Sequence, residues 1–166
     1  SRAGFGEPGK GLVTVLVLAG VVLMVVGWRG GSWLGIEGAE FVPVWDPPRF
    51  LIHVNNLLML FAFYLYAASG MKTRITRVIR HPQLTAVKTW SVAHLLVNGD
   101  LAAIVLFGGI LAWAVVSVIL INKAEPRPAL PAPASMGKEI GAVVGAVLVM
   151  GVVMMIHNWL GVPPWG

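Results

Sequence analysis

With 57% hydrophobic side chains and only 11% charged ones, the 166-residue chain is too apolar for a soluble domain and has room for one helical bundle. The absence of cysteine excludes disulfides, thiolate metal centres and cysteine nucleophiles. The formal charge of +5 comes from basic residues clustered in short loops, a pattern of membrane topology that leaves no case for a nucleic-acid surface.

The chain opens Ser1-Arg2-Ala3-Gly4 without a methionine, so its start is expected to be processed or truncated. Apolar runs follow at 12–28, 50–69, 101–121 and 140–160, with a weaker one at 83–97. A helix rises about 1.5 Å per residue, so about 20 apolar residues cross a hydrocarbon core. The expectation is an all-α, polytopic transmembrane helical bundle of about five spans, forming a single domain over 1–166. Between the spans lie a Trp-rich loop (29–49), a basic loop (70–82), a tight turn at Asn98-Gly99-Asp100 and a Pro-rich connector at 124–135. Pro82 suits the first turn of a helix, where no backbone donor is needed, and Asp100 is a candidate N-cap. Gly137, Gly141 and Gly145 form a stripe of small residues suited to helix packing.

Charge sets the orientation. Alternate segments place Arg2, Lys10, Lys72, Arg74, Arg77, Arg80, Lys123, Arg127 and Lys138 on one side, against Arg29 and Arg49 on the other. The positive-inside rule then makes the N-terminus, the basic loop and the connector cytoplasmic, and the C-terminus periplasmic, in a bacterial inner membrane. Trp28, Trp33, Trp45, Trp159 and Trp165 fall near the outer surface as an aromatic belt.

In this topology His53, His94 and His157 lie at one depth near the outer leaflet, each about one turn from a helix end. Trp90, His94 and Asn98 are spaced four apart and share a stripe; Met150, Met154 and His157 share another, set apart from the Gly141/Gly145 face. Imidazoles at membrane depth usually face a bundle interior or a cavity, and neutral imidazole ligates haem iron. The same trio would suit copper, zinc or a quinol site, and each histidine would also be satisfied by a loop carbonyl or interfacial water. His81, beside Arg80 and Pro82, reads as a capping or headgroup-facing residue.

The block Arg80-His-Pro-Gln-Leu-Thr-Ala-Val-Lys-Thr-Trp-Ser-Val-Ala-His-Leu-Leu-Val-Asn-Gly-Asp100, continued by Leu106 to Ala114, resembles the signature of the NnrU family. Ile156-His-Asn-Trp-Leu-Gly-Val-Pro-Pro164 resembles that family's last helix, and Trp45-Asp-Pro-Pro48 and Leu57-Leu-Met-Leu60 add to the likeness. The resemblance implies a multi-pass membrane protein associated with nitrite and nitric oxide reduction, related to a plant 15-cis-zeta-carotene isomerase that uses haem b. It implies haem b here, with His94, His157 and His53 at positions of family histidines and Trp90, Asn98 and Met154 beside them. Family members usually carry a further N-terminal helix with a Gly-x-His-Ser-like motif, which this chain begins after. Three functions follow as expectations: haem-b binding in support of nitrogen-oxide metabolism or electron transfer, cis–trans isomerisation of a polyene with Trp90, Phe107 and Trp113 as slot walls, or a non-catalytic subunit of a larger membrane complex.

Overall fold

The computed structural model describes residues 42–130 and 132–165, together with 11, 12, 15, 16, 18–20, 22, 23 and 26. The described residues of the first expected span are helical, while Trp28, Trp33 and most of the 29–49 loop lie outside the described residues. Five helices follow: α1 (Leu51–Met71), α2 (Ile75–Val78), α3 (Pro82–Leu95), α4 (Leu101–Ala124) and α5 (Met136–Trp159). The chain is thus an all-helical membrane bundle. Of these, α1, α4 and α5 are long and apolar enough to cross a bilayer. The weaker fifth run becomes α3, whose 14 residues rise only about 21 Å.

The helices pack as α4–α3–α1–α5, with α1 in contact with both α3 and α5. Each neighbour pair is antiparallel. Ala62 and Leu65 of α1 meet Ala86 of α3, while the segment before α1 bridges to Asp100 beyond the end of α3. Phe107 near the start of α4 meets Trp90 and His94, and Asn122 near its end bonds His81. On α5, Gly141 lies against Met71, and the tail after that helix returns to Asn56.

Local chemistry sets the element boundaries. Pro82 opens α3, as its ring and missing N–H favour. Asp100 caps α4, its carboxylate accepting from the Ala103 N–H at 2.8 Å. Lys72 ends α1 in the left-handed region at φ 55°, where a side chain is strained and glycine is not. Lys72→Gly is therefore expected to stabilise the bundle by about 0.5–1 kcal/mol, read as a rise in thermal unfolding temperature in detergent.

The basic loop carries more structure than its charge suggests. Ile75 and Ile79, one turn apart across α2, pack against the Ala62/Leu65/Ala86 cluster. Arginines of this loop and of the Pro-rich connector then fasten the same end of the bundle. Arg80 donates to the carbonyls of Glu125 (2.7 Å) and Pro126 (3.2 Å), and Arg127 donates to those of Arg77 (2.9 Å) and Val78 (3.3 Å). The Glu139 carboxylate accepts from the Arg74 N–H at 2.8 Å. His81 sits here too, 2.9 Å from Asn122. Lys72, Arg74, Arg77, Arg80, Lys123, Arg127 and Lys138 thus share one end, and the other three histidines share the opposite one.

The small-residue stripe packs α5 onto α1, but through different residues from those expected. Ala142 (0% exposed) and Ala146 (2% exposed) are at the contact, while Gly141 and Gly145 flank it. A methyl group at Gly141 would make only ordinary 3.5 Å contact with Met71, and one at Gly145 would meet nothing within 4 Å. The alanine seam continues through half-buried Met150, Val153, Met154 and His157. One inward face therefore runs the length of α5, where two separate faces were expected.

Candidate functional site

His94 and His157 occupy the last turns of α3 and α5, each held in the same way. His94 Nδ1 lies 3.0 Å from the Trp90 carbonyl, and His157 Nδ1 lies 2.9 Å from the Val153 carbonyl, four residues back on its own helix. A carbonyl oxygen only accepts, so Nδ1 must carry the proton in both rings. In the neutral imidazole Nε2 is then the bare lone pair. Both rings therefore present the tautomer that ligates through Nε2.

The helix ends fix this arrangement. The His94 carbonyl accepts from both the backbone N–H (3.0 Å) and the side-chain Nδ2 (2.8 Å) of Asn98. The His157 carbonyl accepts from the Val162 N–H at 3.0 Å, while Gly161, at φ 82°, donates to Asn158 at 3.1 Å. Glycine suits this left-handed closure of a helix. Two helix C-termini thus bring partial negative charge to the site, which favours a cationic occupant.

Helix register sets the heights. Gly141 faces Met71, and from there 16 residues lead up α5 to His157 and 16 lead up α1 to Asn55, about 24 Å in each case. Ala62 faces Ala86, so seven residues further Asn55 stands opposite Ala93, next to His94. His94 also has an aromatic wall, with ring centroids 4.9 Å from Trp90 and 4.6 Å from Phe107, which are themselves 5.0 Å apart.

His94 and His157 are half-buried, and His53 is not. His53 shares the outer end, but two residues before Asn55 means about 200° around the helix, and its side chain is exposed while Asn55 is buried. Among the described residues, no three side chains of His, Cys, Asp or Glu are grouped so as to hold a metal ion. Asn98 follows the end of α3 at Leu95, and its amide donates to the His94 carbonyl. Met154 is half-buried on the His157 face, as expected. Trp113, 60% exposed, does not join the Trp90/Phe107 wall.

Asn55 is the residue that sequence reasoning passed over. It is 8% exposed, and its Oδ1 has no hydrogen-bond partner among the described residues. Its orientation is determined by chemistry. The Pro164 carbonyl can only accept, so Asn56 gives it Nδ2 (3.3 Å) and turns Oδ1 toward Asn55. Asn55 must then give its own Nδ2 to Asn56 (3.3 Å), which leaves its carbonyl oxygen inward. An unmet buried acceptor costs about 1–3 kcal/mol. The fully buried Ser91 hydroxyl on α3 likewise has no partner among the described residues. The available signal was a pair of asparagines in an apolar span.

The segment before α1 closes this end of the bundle. Val44 and Trp45 donate backbone N–H groups to the Gly99 carbonyl (2.8 and 3.1 Å), and Leu101 donates to Val42 (2.9 Å). The strap therefore lies across the α3–α4 turn, joining the Trp45-Asp-Pro-Pro48 and Asn98-Gly99-Asp100 motifs. Exposed Trp45, Trp159 and Trp165 surround the same end, as an interfacial belt requires.

The fold is that of a helical membrane protein with His94 and His157 at one end of its bundle. The chain matches the family model described as NnrU protein over residues 1–164, and it belongs to the NnrU family. No curated protein and no solved structure matches it.

Proposed function

We propose that this NnrU-family protein holds haem b at the His94/His157 end of its bundle through Nε2 of His94 and Nε2 of His157, and that it serves nitrite and nitric oxide metabolism or electron transfer. One observation carries the reading: both rings donate Nδ1–H to a carbonyl of their own helix, which frees two Nε2 lone pairs at one height. A bound haem would supply one-electron redox chemistry. The protein's own contribution is to fix the two tautomers, wall the site with Trp90 and Phe107, and keep it in an apolar setting. The basic end, with its fastened arginines, faces the cytoplasm under the positive-inside rule, and the site faces the periplasm.

His94→Ala and His157→Ala are each expected to lower haem content at least about tenfold, read from the Soret band of protein purified from haem-replete cells. His53→Ala should leave it unchanged. Variants at His94 and His157 that retained the full spectrum would overturn the assignment.

A second reading, haem-dependent isomerisation of a polyene, is favoured by the Trp90–His94–Phe107 ring cluster alone. Conversion of a cis polyene in cells expressing the protein, followed by chromatography and lost in Phe107→Ala, tests it.

A further inference from the structure

The basic end of the bundle has a corner where α1 finishes and α5 begins. A methyl group on Gly141 would lie 3.5 Å from Met71, and the Glu139 carboxylate accepts from the Arg74 N–H at 2.8 Å. Residues 71–74 therefore run beside residues 138–141, which gathers Lys72, Arg74 and Lys138 at one place, all three exposed. Lys138 stands one turn before buried Ala142, on the side of α5 that packs against α1. Among the described residues, none of these three side chains makes a hydrogen bond or an ion pair. Glu139 is turned to a backbone N–H, whereas Arg80 and Arg127 spend their guanidinium groups on backbone carbonyls. Three cations against the one carboxylate leave two positive charges in excess. They sit at headgroup depth, because both helices are apolar enough to span and end here. Ile140, Val144 and Leu148, spaced four apart and each at least half exposed, continue from the corner as an apolar surface along α5.

We infer that this corner binds an anionic phospholipid with two phosphodiester groups, of the diphosphatidylglycerol type, its phosphates on Lys72, Arg74 and Lys138 and its acyl chains along α5. Charge complementarity selects the class. A zwitterionic headgroup brings no net charge, one phosphodiester answers half of the excess, and two answer all of it. An arginine engages a phosphate through two parallel N–H bonds, and the lysines add point charges beside it. Each cation near an anionic leaflet strengthens the attraction, and the exposed apolar stripe takes the chains that free phosphate lacks. The inference goes beyond haem binding and does not depend on it, because His94 and His157 lie at the opposite end of the bundle.

The test uses the purified full chain in a neutral detergent, with bound lipid counted by native mass spectrometry. The probes are diphosphatidylglycerol, phosphatidylglycerol and phosphatidylcholine, with inorganic phosphate as competitor. Affinity is expected to fall in that order of lipids, by at least about tenfold from first to last. The double variant Lys72→Gln/Lys138→Gln should weaken diphosphatidylglycerol by at least about tenfold, and Arg74→Gln serves if the double variant does not fold. The charge-matched control Arg77→Gln/Lys123→Gln, beside Arg127 and α4, should leave that affinity unchanged. Equal loss in the two double variants would reduce the effect to general attraction toward a basic end and overturn the inference. Equal binding of phosphatidylcholine, or displacement of the lipid by inorganic phosphate at the same concentration, would overturn it too.

Discussion

Gly99→Ala is expected to detach the strap from the α3–α4 turn. A methyl group there would overlap the Trp45 carbonyl oxygen, reach 2.9 Å from its carbon and 3.1 Å from Pro47 Cδ. Backbone cannot yield as a side-chain tip does, so the strap must move. Three hydrogen bonds would go with it, those from Val44 and Trp45 to Gly99 and from Leu101 to Val42. At about 1 kcal/mol net each, the loss is about 3 kcal/mol, enough to lower the unfolding midpoint by roughly 6–12 °C in a chain of this size. Limited proteolysis should then cut within 42–50, next to the His94 end of α3. A variant with native melting and no new cleavage would mean the strap does not depend on this turn.

Ala142→Leu should act at the opposite end and reach the site through α5. Ala142 is wholly buried against α1, and overpacking a tight contact costs typically about 1–3 kcal/mol. Because the same seam continues to His157, pushing α5 outward also shifts that ring relative to His94 and separates Asn56 from Pro164. The expected result is lower stability together with loss of the haem proposed for His94 and His157. Gly145→Ala, with no atom within 4 Å of the new methyl, is the matched control and should be neutral. Equal effects from the two substitutions would contradict the packing described for α5.

The helices and their ends were legible because they rest on local chemistry. Run length gave α1, α4 and α5, Pro82 gave the start of α3, and Asp100 gave the cap of α4. The common depth of His94 and His157 was legible too, since alternating helix direction converts sequence position into height. Rotation about each helix axis was not. A membrane span is apolar all round, so polarity does not mark its inner face, and nothing in the pattern shows that Asn55 is buried while His53 is exposed. The packing of Ile75 and Ile79 was hidden by the basic residues around them, although their i, i+4 spacing carried the signal.

The most direct test is the tautomeric state of the histidines, read by nitrogen NMR on haem-free protein labelled at histidine nitrogen, where only four residues report. A solvent-exposed histidine side chain favours the proton on Nε2, whereas the carbonyl contacts at Trp90 and Val153 require it on Nδ1 in both His94 and His157. The expected spectrum shows protonated Nδ1 and bare Nε2 for these two residues, with the bare Nε2 signals moving when haem is added. Protons on Nε2 in either ring, or Nε2 signals indifferent to haem, would contradict the paired site.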